Sequence, residues 1–133
     1  MKSYRTYLRG SLIIPVMALL FAWLPAQAGM EHEHASMHKQ GEKITVTGEV
    51  VDMMCYIDHG AKGKDHQSCA RKCIKGNGPV GLLTDDGDLY ILIGEHEPAN
   101  DRLAEYAAET ITVEGKYAER NGMKMVENIH IKS

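Results

Sequence analysis

From Ile44 onward, apolar and polar positions alternate in short runs separated by turn residues, a period-two pattern that buries one face of each strand. The run from Ile44 to Cys55 is rich in β-branched residues and predicts a first strand, with Gly48 as a bulge or bend. Val80 to Thr84 and Asp88 to Gly94 flank Asp85, Asp86 and Gly87, a hairpin signal. Thr110 to Ala118 and Met123 to Ile131 flank Asn121 and Gly122, a second one. Two stretches depart from the alternation. His59 to Lys64 is a glycine-punctuated loop, and a helix starting at Asp65 or Gln67 is expected over Ser68 to Lys75, stopped by Gly76, Asn77, Gly78 and Pro79. Glu97 to Asn100 leads into a second helix, with Leu103, Tyr106 and Ala107 on one face at i, i+3 and i+4.

The order is that of a mainly β protein: a small OB-fold-like five-stranded barrel. A Cys-rich helical insert falls between strands 1 and 2, and a helix between strands 3 and 4. Thr45 to Val50 and Thr112 to Tyr117 resemble each other, each with a glycine at its fourth position. Both read as long strands that curl at that glycine, as small barrels require. The competing architecture is an open antiparallel sheet with two helices on one face.

Ahead of the strands the pattern changes character. Lys2, Arg5 and Arg9 precede an apolar stretch from Ser11 to Leu24, followed by the small-x-small site Ala26-Gln27-Ala28, which predicts a secretory signal peptide over residues 1–28. The stretch contains Pro15, is closed by Pro25 and is short of the ~20 residues a membrane span needs. Residues 29–42 have no apolar period and read as a flexible arm rich in His and Met, ahead of a barrel domain over 43–133. Removal of the signal takes away three of 15 basic side chains, leaving 12 against 18 acidic ones. An acidic domain with no basic stripe is a poor partner for nucleic acid or anionic membrane, and no stable membrane insertion is expected after cleavage. A periplasmic or secreted location would place its cysteines in an oxidising compartment.

There are three cysteines, so a closed set of disulfides leaves one over. His66, Cys69 and Cys73 are spaced by three and four, which on a helix stacks them over two turns of one face. Cys55, leaving the first strand, can reach that face across the loop. Three thiolates and an imidazole form a normal tetrahedral Zn²⁺ set, and thiolates also suit Cu(I). His59 is a reserve ligand, and His32, His34, Met37 and His38 in the arm are auxiliary copper ligands. Asp52 and Asp58 flank Cys55 and could orient a ligand histidine. In the alternative, Cys55 bridges to Cys69 or Cys73 and staples the insert to the barrel, adding about 2–4 kcal/mol.

Other chemistries fit the residues less well. Neither Cys-x-x-Cys-His nor Cys-x-x-Cys occurs, which disfavours covalent haem and a thioredoxin-type site. Asp85, Asp86 and Asp88 lack EF-hand spacing. Tyr56 and Tyr90 would suit an oligonucleotide face, but the acidic charge opposes it.

The Cys-x3-Cys spacing of Cys69 and Cys73 resembles that of Sco-type copper chaperones and of the dinuclear copper loop of cytochrome oxidase. Asn77 stands where that loop needs a histidine, so the likeness supports soft-metal chemistry and neither family in particular. A broader resemblance runs through Gly48 to Asp52, Cys55-Tyr56, Gly60 to Gly63, His66, Cys69-Ala70, Cys73 and Gly78 to Leu83. These motifs are similar to a set of small exported bacterial proteins; the likeness implies export and a shared Cys/His core, not a reaction.

The expected function is an exported carrier, buffer or accessory module for copper, with zinc second, and no catalytic role. Its partner would be a metal-donor or acceptor protein of the cell envelope. Two other classes compete: a disulfide-stapled OB-like module that binds a protein or envelope ligand without metal, and a thiol oxidoreductase, which requires a cysteine of lowered pKa.

Overall fold

The computed structural model describes residues 38–132. The expected signal sequence and residues 29–37 of the arm, with His32, His34 and Met37, lie outside them.

Five strands close into a barrel in the order β1-β2-β3-β5-β4, with β4 returning to β1. They are β1 (Lys43–Asp52), β2 (Val80–Leu83), β3 (Leu89–Leu92), β4 (Thr110–Arg120) and β5 (Met123–Lys132). All pairings are antiparallel except β3 with β5. This is the OB-type barrel expected from the element order, and closure rules out the open sheet. Alternate residues of β1 and β4 point inward, so that Val46, Val50, Val113 and Tyr117 meet Leu82 and Val126 in the core.

Glycines make the corners. β1 pairs with β4 from Lys43 to Glu49 and with β2 from Glu49 to Asp52, so it changes partner next to Gly48. A Cβ at Gly48 would lie 2.5 Å from the Leu83 carbonyl oxygen. In β4 the register shifts between Glu114 and Lys116, and a Cβ on Gly115 would meet Val126 at 2.5 Å. The two similar segments therefore bend at matching glycines. Gly87, at φ 92°, and the pair Asn121 and Gly122, at φ 53° and 79°, turn the two predicted hairpins.

Two expectations change. The first strand does not run through to Cys55: it stops at Asp52, and Met53–His59 is a helix, α1. The Asp52 carboxylate accepts from the backbone N–H groups of Met54 (3.2 Å) and Cys55 (3.3 Å), which caps the helix, and Gly60 ends it in the left-handed region at φ 71°. The described end of the arm, 38–42, is tied to β4. Gly41 N–H donates to the Tyr117 carbonyl, Tyr117 N–H donates to that of Glu42, and the His38 ring meets the Tyr117 ring edge-on at 5.3 Å.

A 3-10 turn (Lys64–His66) runs into α2 (Gln67–Lys75), the expected helix of the insert. The second expected helix is short: α3 (Asn100–Leu103) followed by a 3-10 turn (Ala104–Tyr106). It buries Leu103 and Ala107 as its periodicity predicted, with Tyr106 half-buried. Among the described residues no helix is long and apolar enough to cross a membrane.

Candidate metal centre

α2 has two working faces. Ala70 and Ile74, four apart, are buried against the barrel. Cys69 and Cys73, one position behind each, are then left on the adjacent outer face, Cys69 exposed and Cys73 half-buried. The helix is held from several sides. Gln67 Nε2 donates to the Ala107 carbonyl (3.0 Å) and to Glu109 (2.9 Å), and Arg71 Nε donates to the Ala104 carbonyl (3.1 Å). Lys64 pairs with Glu109, and Gly63 N–H donates to Glu49 of β1. At the far end the buried Asn100 amide donates to the Ile74 (2.8 Å) and Gly78 (2.7 Å) carbonyls, satisfying groups that a helix end leaves open. α2 is thus a fixed platform. α1 has no buried residue; its start is fastened by the Asp52 cap and by Met53 N–H, which donates to the Pro79 carbonyl (3.0 Å).

The fold brings Cys55 on α1 against Cys69 and Cys73 on α2. The three sulfurs lie within 4.8 Å of one another, and all three are free thiols. The bridge from Cys55 to Cys69 or Cys73 weighed from the sequence is therefore not formed in this structure. His66, at the start of α2, is brought to Cys55 and to Asp52, with one ligand atom from each again within 4.8 Å. The four expected ligands thus form two overlapping groups that share Cys55.

His59 is not part of either group. It pairs with Asp58 at 3.1 Å on the exposed end of α1, so Asp58 does not serve His66. His38 sits with Tyr117 near the start of β1, while the thiols gather at its other end. Ten residues of strand rise roughly 30 Å when straight, less on a curled barrel. Sequence reasoning placed Asp52 beside Cys55 but not inside a ligand group; the sign that could have revealed it is the cap, an Asp two residues ahead of Met54.

Electrostatics favour the protonated form of two of the thiols, Cys55 and Cys73. The Cys55 thiol donates to the Asp52 carboxylate, and with partial desolvation and the negative charge of Asp52 this pushes its pKa from 9.0 up to about 12. Desolvation, followed by the charges of Asp52 and Cys69, raises Cys73 as well. A nucleophilic or redox cysteine needs the opposite shift, which argues against the oxidoreductase reading at these two positions. A bound cation inverts this balance, since a coordinating thiol is deprotonated outright.

A cleft of about 380 Å³ opens elsewhere on the barrel, lined in part by His38, Thr47, Asp88, Tyr90, Tyr117 and Lys124. Tyr90 and Tyr117 meet edge-to-face at 6.4 Å, and Lys124 lies 5.7 Å over the Tyr90 ring.

Set against family models, curated proteins and solved structures, the chain matches none.

Proposed function

We propose that this protein binds a soft metal ion in the cell envelope, copper first and zinc second, and carries or buffers it without catalysing a reaction. The observation that carries the reading is the convergence of the Cys55, Cys69 and Cys73 sulfurs within 4.8 Å, all as free thiols. Three thiolates are soft ligands of the kind Cu(I) prefers, and thiolate with imidazole suits Zn²⁺. Metal–sulfur bonds of about 2.3 Å set sulfurs roughly 3.5–4 Å apart. Separations within 4.8 Å leave at most about an ångström of closure to that spacing, which α1, with nothing buried, can supply.

Export belongs to the same proposal, supported by the signal-like residues 1–28 and by the likeness of the Cys/His core to small exported bacterial proteins. So does capture by His32, His34 and Met37. The position of His38, near the opposite end of β1 from the thiols, favours the arm as a separate collecting site that hands its ion on.

The test is a titration of the reduced protein with Cu(I) and with Zn²⁺ against a competing chelator. The Cys69→Ser/Cys73→Ser variant should lose at least ~100-fold in Cu(I) affinity, beyond the usual effect of losing one supporting contact. Equal competition by variant and wild type would sink the reading. A metal-free interaction module is the second reading, favoured by the aromatic cleft at Tyr90 and Tyr117. It predicts one free thiol and one Cys55 bridge in protein isolated without reductant, with no metal retained by intact mass.

A further inference from the structure

Cys55 takes part in two donor sets of different chemistry. With Cys69 and Cys73 it forms an all-sulfur triad; with Asp52 and His66 it forms a set of one sulfur, one carboxylate oxygen and one imidazole nitrogen. The second set carries marks that folding alone does not account for. His66 Nε2 is closed off from solvent and has no hydrogen-bond partner among the described residues. An orphaned buried nitrogen is costly to leave unpaired, and a lone pair on it is what a metal ion would use. Asp52 is only 1% exposed; two backbone N–H groups and the Cys55 thiol take about three of a carboxylate's four acceptor positions, and the thiol's is released once Cys55 binds as a thiolate.

We propose that the cluster contains two seats sharing Cys55: a three-thiolate seat for Cu(I), and an Asp52–Cys55–His66 seat for a divalent ion of the zinc type. This rests on the proposed metal-binding function and divides it by ion. Monovalent copper favours soft sulfur and low coordination numbers, which Cys55, Cys69 and Cys73 offer from two helices. A divalent ion of intermediate softness is well served by mixed sulfur, nitrogen and oxygen donors. With three protein ligands its fourth position stays open to water or to a ligand from a partner. The Asp52 carboxylate adds the negative charge that a divalent ion repays better than a monovalent one. Asp52 would then both cap α1 and bind the ion, coupling the helix that presents Cys55 to occupancy of the mixed seat.

The experiment uses the reduced full chain, with Cu(I), Zn²⁺ and Co²⁺, the last as a visible stand-in for zinc. His66→Gln should weaken Zn²⁺ and Co²⁺ binding at least about tenfold and change Cu(I) affinity less than about threefold, while Cys69→Ser/Cys73→Ser does the reverse. The thiolate-to-Co²⁺ charge-transfer band of the wild type should have the intensity of a single sulfur ligand. Asp52→Asn, which keeps an oxygen for the helix cap, should reproduce the zinc-selective loss and serves if His66→Gln does not fold. Equal weakening of all three ions by His66→Gln, or a Co²⁺ band of three sulfurs, would show one common site and overturn the division while leaving metal binding intact. A wild type that binds none of the ions would remove the functional reading itself.

Discussion

Thr45 to Val50 of β1 and Thr112 to Tyr117 of β4 share Thr, Val and Gly at matching positions, and the two strands pair side by side in the barrel. Each bends beside a glycine whose missing Cβ lets another strand approach. Past the bend they part. β4 continues to Arg120 and reverses through Asn121 and Gly122, a turn that carries no chemistry. β1 stops at Asp52, whose carboxylate takes the next helical amides and diverts the chain into α1. One side chain at a strand end thus separates a structural strand from one that delivers a thiol. The barrel half of the molecule is specified by burial; in the insert only Ala70 and Ile74 of α2 are buried apolar residues, and polar contacts do the rest.

The largest expected effect tests Asp52 at that divergence. With a pKa near 12, Cys55 has a thiolate fraction at pH 8 about a thousandfold below that of a thiol titrating at 9.0. Its alkylation, followed by peptide mass, should be slow by that order and still rising beyond pH 10, and Asp52→Asn should bring it forward. A plateau below pH 10 would contradict the Asp52 contact. Next, the likeness of the two strands predicts that Gly48→Val and Gly115→Val each destabilise by about 3 kcal/mol or more in urea unfolding, as overpacked sites do. If only one does, the parallel between the corners fails.

Asn100→Ala comes third. It removes the Asn100 donor from the Gly78 carbonyl and from the Ile74 carbonyl, which keeps Asn77 N–H, and should cost about 1–3 kcal/mol, with faster amide exchange in α2 than in β4. Uniform exchange would mean the insert and barrel unfold as one unit. The smallest effect is electrostatic. Glu114 on β4 receives Lys43 of β1 and Lys132 of β5, hydrogen bonds that hold its pKa at about 2 against an ordinary 4.5. A depressed carboxylate contributes stability that is complete above the unfolded value and lost as pH falls through the folded one. The melting temperature should therefore drop between about pH 4.5 and 2, and Glu114→Gln should flatten that drop.

The barrel was legible because its strands alternate and its turns carry Asp86-Gly87 and Asn121-Gly122, signals that act within a few residues. The pairing of Cys69 with Cys73 was legible for the same reason, as neighbours on one helix. α1 was not. Val50 and Val51 run into Met53, Met54, Tyr56 and Ile57, an apolar stretch that reads as more strand, and the local sign of the interruption is the Asp52 cap. Missing that helix hid the way Cys55 reaches α2 and hid Asp52 as a member of a ligand group with Cys55 and His66. The anchoring of α2 by Asn100, 26 residues from Ile74, is a long-range contact for which local pattern carries no information.

Closure of the barrel has a consequence for recognition. Every strand of the barrel has a neighbour on both sides over part of its length, so no strand is a full open edge for another chain to extend. A protein that meets this domain has to read its side chains as well as its backbone. On the side where β1 gives way to α1, the most prominent apolar ones are Met54 and Ile57, exposed by 51% and 68% on the same short helix as Cys55. A visitor that grips them touches the element whose position sets the spacing of the sulfurs.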